Sequence, residues 1–370
     1  MRIATLDSLR GIAALIVLLH HTYTTLPESL LSALKPYMGV TPLRLVADGR
    51  PAVILFFVLS GFVLTLPFLN GRHLGYRRFL LQRVCRVYLP LAAAVLLAAA
   101  LCLMLDPGPL DGVNGWIESW SWSREVTLEL VAAHLLMTGQ GEAAVLDGPL
   151  WSLVYQLRIS ALLPLLILWG RLGPRWALVL ALALYGLVGV GLKEAGVGTH
   201  PLFAETPWQA VLVTLHFVPF FLFGVVLALH GETFVAVLGW LTLPGRVVLW
   251  LVAGHALTMG DDLASAGGST LLIALSLASP TAQRILSLPV LEWLGQVSYS
   301  LYLTHLLVLL TLLHLLHGVL PLVVILAAAV PASLVVADLF YRRVEVPAIA
   351  LGRRLAHPRS TYAQGSMAGE

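Results

Sequence analysis

The chain has 370 residues, of which 59% are hydrophobic and only 11% are charged, and its mean hydropathy is +0.89. An ordinary soluble domain carries about 25% charged residues, so this composition excludes a soluble protein and predicts one that crosses a membrane repeatedly. The net charge of +3 predicts no nucleic-acid partner, because the arginines cluster at the ends of apolar segments, as the positive-inside rule expects.

The apolar segments predict an all-α, polytopic integral membrane protein with about ten transmembrane helices. Each segment is long enough to span a bilayer, or nearly so. In chain order they cover residues 9–26, 51–69, 87–105, 150–169, 176–192, 208–230, 234–256, 269–280, 297–316 and 320–340. Pro244, Gly245 and Arg246 interrupt the seventh segment, and the eighth is short, so these two are the least regular.

The distribution of charge predicts the orientation. Residues 71–86 contain five arginines and no acid, whereas residues 106–147 contain seven acids and one arginine. The positive-inside rule places the basic segment in the cytoplasm and the acidic one outside, and with ten spans both termini are then cytoplasmic. Residues 1–351 are predicted as one transmembrane domain, and residues 352–370 as a disordered cytoplasmic tail.

The first apolar segment carries two ionisable side chains, Arg10 and His21. On an α-helix eleven residues turn through about 1,100°, so both side chains project from nearly the same face, roughly 16 Å apart along the axis. Ionisable groups in a spanning segment are by default candidates for function. Arg10 forms either a local pair with Asp7 or an anchor for an anionic ligand. His21 is either a buried neutral histidine bonded to another helix or a general base, and His20 is the weaker candidate.

The second and third segments add two short polar patterns. The step Ser60-Gly61 allows either close contact between helices or room for a threaded ligand. Arg83 and Arg86 share one helix face at the predicted cytoplasmic end of the third span. They are either topology anchors or a phosphate site, because guanidinium groups match phosphate oxygens bidentately.

The acidic outer segment contains Trp116, Trp120 and Trp122, together with a predicted short helix at residues 128–137. These tryptophans form either an interfacial aromatic belt or an outer vestibule for a sugar or another polar acceptor. Near the C-terminus, Tyr302 and His305 lie one helical turn apart and predict an interior polar stripe.

Six short motifs in a fixed order make the chain similar to a known family. They are Leu6-Asp7-Ser8-Leu9-Arg10-Gly11 followed by His21, Phe57-Val58-Leu59-Ser60-Gly61-Phe62, Arg83-x-x-Arg86-Val87, Leu150-Trp151-Ser152-Leu153, Tyr299-Ser300-x-Tyr302-Leu303-x-His305 and Tyr341-x-x-Val344-Glu345-x-Pro347. Each is loose alone, but six in order over residues 6–351 are specific. The chain resembles membrane-bound acyltransferase family 3, whose members acylate carbohydrates and other acceptors.

The resemblance implies transfer of an acyl group, commonly acetyl, from cytoplasmic acyl-CoA. It matches Arg10 and His21 to the family's essential arginine–histidine pair, and Arg83 and Arg86 to its cytoplasmic arginine pair. One position departs from the family. Many members carry a glutamate where this chain has Gln156, which cannot titrate, and the nearby Arg158 either compensates or contacts an anion. Further candidates from the motifs are Trp151 and Glu345.

The resulting hypothesis is a membrane acyltransferase of the bacterial inner membrane. Arg83 and Arg86, with Arg10 nearby, bind the phosphates of acyl-CoA, and His21 acts as a base towards an acceptor hydroxyl or relays the acyl group. Tyr302 is the candidate for stabilising the oxyanion, and the predicted acceptor is a carbohydrate or lipid-linked molecule. No metal site is predicted, and the oligomeric state stays open. The alternatives are a multi-span transporter or exporter and a structural or receptor-like membrane protein.

Overall fold

The computed structural model describes residues 4–39, 41–69, 75–140, 145–198 and 201–356, and the regular elements in these ranges are helices. The first nine are α1 (Ala4–Thr24), α2 (Glu28–Met38), α3 (Arg44–Ala47), α4 (Arg50–Leu69), α5 (Tyr76–Leu105), α6 (Gly115–Trp120), α7 (Leu128–Leu135), α8 (Leu150–Ala161) and α9 (Leu163–Gly170). Then follow α10 (Pro174–Glu194), α11 (Pro207–Gly239), α12 (Leu243–Thr258), α13 (Asp262–Ala278), α14 (Pro280–Leu286), α15 (Pro289–Leu316), α16 (Leu322–Phe340) and α17 (Val346–Ala356). The predicted all-α class is confirmed.

Six stretches of helix within the described ranges are long and apolar enough to cross a membrane, and the number rises to eight if each bent pair counts as one span. The six are α4, α5, α10, α11, α15 and the continuous stretch from α16 through α17. The bent pairs are α8–α9, with an angle of 66°, and α13–α14, with an angle of 97°. The predicted count of ten is not confirmed, and the cytoplasmic position of both termini stays a prediction.

Two predicted spans account for the difference in number. The first, α1, carries Asp7, Arg10 and two histidines, and it is absent from the six continuous spans and the two bent pairs. The seventh was predicted at residues 234–256, but the structure assigns its first residues to the end of α11 and the rest to α12. With 16 residues, α12 is shorter than the roughly 20 that a span needs.

The ends of two other predicted segments also differ from the structure. The short helix predicted at residues 128–137 is confirmed as α7, which ends at Leu135, and its position outside the membrane stays a prediction. The predicted tail begins inside α17, and the disorder predicted beyond Ala356 lies outside the described residues. The side chain of Trp120 and the arginine at position 72 also lie outside the described part of the chain.

Glycines allow the central helices to approach backbone to backbone. A Cβ atom added to Gly224 of α11 would overlap the carbonyl oxygen of Val58 in α4, and one added to Gly61 of α4 would overlap the carbonyl oxygen of Phe221 in α11. Between α1 and α15, Gly11 and Gly295 meet in the same way. Small residues at such crossings are typical of membrane helices. The α1–α15 contact brings His21 close to the polar stripe of α15.

Candidate active site

A cavity of about 80 Å³ lies between α1, α4, α5, α8 and α15. Three arginines line it, and we call it the arginine cavity: Arg10 from α1, and Arg83 and Arg86 from α5. No acidic side chain of the described residues lines this cavity, although Asp7 pairs with Arg10 at 3.2 Å. Three guanidinium groups around one space favour an anionic ligand with several oxygens, which is the chemistry of phosphate.

Further polar side chains lie near these three arginines. The Arg83 Nε donates a hydrogen bond to Ser160 Oγ at 3.2 Å. Glu345 is only 3% exposed, accepts a hydrogen bond from Ser300 Oγ at 2.7 Å, and feels the charges of Arg86 and Arg10. The π-helical turn Tyr341–Glu345 places this carboxylate, and such turns often mark functional sites.

The Ser60-Gly61 step divides its two residues between different surroundings. Ser60 lines the arginine cavity, where its Oγ accepts a hydrogen bond from Gln156 Nε2 at 2.8 Å. Gly61 instead contacts α11, so the structure supports close helix contact for this residue and places it away from the cavity lining. Gln156 serves here as a donor, which an ionised glutamate cannot do.

Arg158 lies elsewhere, despite its proximity to Gln156 in sequence. Its Nη2 donates to the carbonyl oxygens of Met137 and Thr138 at 2.9 and 2.8 Å, and its Nη1 donates to Thr214 Oγ1 at 3.3 Å. Arg158 therefore secures the loop after α7. The structure does not place it among the residues that line the arginine cavity, so it does not stand in for a carboxylate there.

A second and larger cavity of about 670 Å³ lies towards the other end of α1. We call it the histidine cavity, because His20 and His21 both line it. Its walls also include Arg50 of α4, Trp116 of α6 and Trp151 of α8. The sequence predicted either an interfacial aromatic belt or an outer vestibule for a sugar or another polar acceptor, and the structure places Trp116 in the wall of this cavity. Trp122 is instead buried, with its Nε1 donating to the Leu146 carbonyl at 3.0 Å.

His21 contacts His305 across the α1–α15 crossing. His305 Nδ1 lies 2.9 Å from the Leu301 carbonyl oxygen, which can only accept, so this nitrogen carries the hydrogen. His21 Nδ1 lies 3.0 Å from the Val17 carbonyl oxygen and 3.0 Å from His305 Nε2. When both rings are neutral, the Nδ1–H of His21 faces two acceptors, and its Nε2 keeps a lone pair. His21 is thus both hydrogen-bonded to another helix and equipped as a base.

Tyr302 and Val53 separate the two cavities, since each residue lines both. The Tyr302 hydroxyl and Ser152 Oγ are 2.7 Å apart. Ser152 lines the arginine cavity, and His21 lines the histidine cavity. Only one or two side chains therefore separate the arginine cavity from the histidine cavity.

Comparison with known proteins identifies the family. The sequence profile of an acyltransferase domain, acyltransferase family 3, matches residues 3–342. The chain belongs to acyltransferase family 3. No curated protein and no solved structure matches the chain. Family membership supports a membrane acyltransferase and favours this enzyme class over the transporter and receptor alternatives.

The acyltransferase also contains an ionic network that the sequence did not reveal. Arg50 donates to both carboxylate oxygens of Asp262, at 2.5 and 2.6 Å, and His216 Nε2 lies 2.8 Å from the same carboxylate. Asp262 is 2% exposed, and a charge that is so buried is costly without partners. Arg50 and His216 are its hydrogen-bonded partners. The available signal was that Arg50 and Asp262 are charged residues at the ends of apolar runs, but their separation along the chain hides the pairing.

A second buried acid of the acyltransferase, Asp147, has no such partner. It is 0% exposed, and neither of its carboxylate oxygens has a hydrogen-bond partner among the described residues. Burial raises the pKa of Asp147 well above its usual range. The neighbouring residue is fixed by a hydrogen bond from the Leu146 N–H to His134 Nε2 at 3.1 Å. Burial lowers the pKa of His134, which keeps its ring neutral and able to accept this bond.

Replacing Asp147 with asparagine should stabilise the folded protein at neutral and alkaline pH. Because the pKa of Asp147 is higher in the folded than in the unfolded state, its contribution to stability is present at low pH and lost as pH rises through the folded-state pKa. Asp147→Asn removes that loss. The thermal unfolding temperature of the variant in detergent should exceed that of wild type at about pH 8, and the gap should shrink towards the unfolded pKa of about 4. A constant gap at all pH values would contradict this explanation.

Proposed function

We propose that this acyltransferase moves an acyl group, most simply acetyl, from acyl-CoA in the arginine cavity to a hydroxyl of a carbohydrate acceptor in the histidine cavity. The observation that carries the proposal is that the two cavities share Val53 and Tyr302. A donor and an acceptor can then approach the same wall from opposite sides. Neither substrate has to pass through the protein for the acyl group to be exchanged.

The arginine cavity suits the donor because acyl-CoA carries its charge on phosphates at one end and its thioester at the other. Arg10, Arg83 and Arg86 would bind the phosphates. The roughly 16 Å between Arg10 and His21 along α1 is similar in length to the pantetheine arm. A thioester anchored in this way would reach the wall at Tyr302. The four arginines in the first turns of α5, at positions 77, 78, 83 and 86, support a cytoplasmic position for this cavity in the bacterial inner membrane.

The proposed chemistry uses the free lone pair of His21. His21 Nε2 takes the proton of the acceptor hydroxyl as its oxygen attacks the thioester carbonyl. The C–O bond forms, the C–S bond breaks, and the coenzyme A thiolate leaves and takes up a proton. The same lone pair could first accept the acyl group and then pass it on. In either route, His305 Nε2 accepts the Nδ1–H of His21 and supports the charge that the ring gains.

Tyr302 is placed to assist at the reacting carbonyl. Its hydroxyl lies in the wall between the cavities and bonds to Ser152 Oγ. A donor aimed at the carbonyl oxygen stabilises the negative charge that develops in the tetrahedral intermediate. Tyr302 therefore contacts the reacting atoms in this proposal, whereas His305 is a positioning residue that acts through His21.

Removing two charges from the arginine cavity tests the donor site. The double variant Arg83→Gln and Arg86→Gln should raise the KM for acetyl-CoA by roughly tenfold or more, because each lost phosphate contact weakens binding of the donor. The measurement is release of free coenzyme A thiol by purified protein in nanodiscs. A matched control is Arg77→Gln with Arg78→Gln, two exposed arginines of the same helix outside the cavity lining. An unchanged KM in the first variant, or an equal rise in both, would reject the site.

A further inference from the structure

Two half-buried indole rings stand in the wall of the histidine cavity. Trp116 belongs to the short helix α6, and Trp151 belongs to the first turn of α8. Both rings line the same space, although they come from different parts of the chain. Aromatic rings in a cavity with a few polar groups bind ligands that combine apolar faces with hydrogen-bonding edges. A sugar ring is such a ligand, because its C–H faces are apolar and its hydroxyls lie around the rim.

Both indoles contact side chains of neighbouring helices. The backbone N–H of Trp116 donates to Asn114 Oδ1 at 3.0 Å, and its ring centroid lies 5.4 Å from that of His21. The guanidinium carbon of Arg50 lies 5.9 Å from the Trp151 ring, and Asp262 in turn binds that guanidinium with both oxygens. Side chains that are already ordered lose little entropy on binding, so these rings form prepared surfaces.

The charges around the two cavities differ in a way that selects between ligands. Among the described residues that line the histidine cavity, Asp48 and Arg50 are the charged side chains besides the histidines, and Arg50 is neutralised by Asp262. The arginine cavity instead has three lining cations and no lining acid. A phosphorylated or carboxylated ligand would find its counter-charges in the arginine cavity. An uncharged ligand needs no counter-charge, so the histidine cavity suits it.

The neighbours of Trp116 also place a bound ring relative to the base. Its indole lies directly beside His21, whose Nδ1 is occupied by Val17 and His305. A sugar ring bound against Trp116 would therefore lie close to the imidazole of His21. The cavity volume of about 670 Å³ lies within the roughly 300–1,000 Å³ typical of small-molecule pockets, which leaves room for a sugar ring.

We infer that the acceptor presents an uncharged sugar ring to this enzyme, and that Trp116 and Trp151 are the surfaces on which it binds. The inference rests on the proposed function, because it takes the cavity of His21 as the acceptor side. It goes further by naming the charge class of the acceptor and the two residues that recognise it.

Binding to an array of immobilised glycans tests this inference without any acyl transfer. Half of the glycans should be neutral and half should carry carboxylate, phosphate or sulfate groups, and the protein is applied in nanodiscs. We expect retention on a subset of the neutral glycans. Trp116→Ala and Trp151→Ala should each weaken it by about tenfold or more, as truncation of a tryptophan anchor usually does. Trp116→Phe, which keeps an aromatic ring, should retain most of the binding.

The controls separate recognition from folding and from donor binding. Trp240→Ala, which removes a 91% exposed indole at the end of α11, should bind as wild type. Only variants with wild-type elution and unfolding temperature are compared, and Trp151→Ala stands in if Trp116→Ala fails to fold. Arg83→Gln with Arg86→Gln should leave glycan binding unchanged, so a failed donor site and a failed acceptor site give different results. The same glycans on a lipid anchor in vesicles distinguish a lipid-linked acceptor from a free one.

Three results would overturn the inference. They are retention on charged glycans alone, no retention above that of empty nanodiscs, and retention that neither tryptophan variant weakens.

Discussion

His21→Ala should lower the rate of acyl transfer by roughly 10²–10⁴-fold, the usual contribution of a positioned acid–base group. The expectation follows from the hydrogen bonds of the ring. Its Nδ1 is engaged by Val17 and His305, so Nε2 is the nitrogen available for the acceptor proton. Alanine removes this base and leaves the arginine cavity untouched, because His21 does not line it. The rate should therefore fall while the KM for acetyl-CoA stays close to that of wild type.

A matched histidine on α15 provides the control for this result. His314 lies nine residues after His305, stacks on Trp122 at 5.6 Å, and lines neither cavity. His314→Ala should keep its activity, and both variants should elute and unfold as wild type does. Turnover of His21→Ala above about a tenth of the wild-type rate would remove His21 from the chemistry. Equal losses in both variants would point to a general effect on the fold.

Gly224→Ala should be the most damaging of the small substitutions in this protein. The new Cβ would overlap the Val58 carbonyl oxygen and crowd the Phe62 nitrogen, and backbone atoms in a helix cannot move aside as a flexible side chain can. Overpacking commonly costs about 1–3 kcal/mol, and a clash between two backbones belongs at or above the top of that range. We expect a large drop in unfolding temperature, or loss of folded protein from detergent extracts.

Gly189→Ala is the matched control for this substitution. Gly189 lies in α10, and a Cβ atom there would meet nothing within 4 Å. Alanine is the better helix former, so this variant should be as stable as wild type or slightly more stable. Equal unfolding temperatures for Gly224→Ala and Gly189→Ala would show that α4 and α11 are not in such close contact.

Much of the site could be predicted from helical periodicity and from charge. Arg10 and His21 were expected on one face of one helix, and the structure places them in two cavities along α1. Arg83 and Arg86 were expected on one face of the third span, and both line the arginine cavity. These predictions concern residues within a few turns of each other, where the geometry of one helix decides the result.

Contacts between distant parts of the chain could not be predicted in the same way. His305 reaches His21 because Gly11 and Gly295 allow α1 and α15 to touch, and nothing local to either histidine specifies this crossing. The pairing of Arg50 with Asp262 depends likewise on how α4 and α13 meet. The Ser60-Gly61 step illustrates the remaining difficulty. These two residues are adjacent in sequence, yet Ser60 faces the arginine cavity and Gly61 faces α11.

The number of spans was harder to predict than the helices themselves. Hydropathy locates apolar segments, but it does not show that α8 and α9 bend by 66° or that α13 and α14 bend by 97°. The break between α11 and α12 also lies later than the apolar pattern indicated, because α11 continues to Gly239. Bends and breaks of this kind depend on contacts with other helices, and the hydropathy of one segment does not predict them.

Transfer of a labelled acetyl group in inverted membrane vesicles tests the central claim most directly. Such vesicles expose their cytoplasmic face and retain the native acceptors, so acetyl-CoA labelled in its acetyl group is supplied from outside. The account predicts that label enters the glycan or glycolipid fraction with the wild-type protein and stays at background with His21→Ala. Equal labelling by both proteins, or no labelling from acetyl-CoA by wild type, would contradict an acyl path from the arginine cavity to His21.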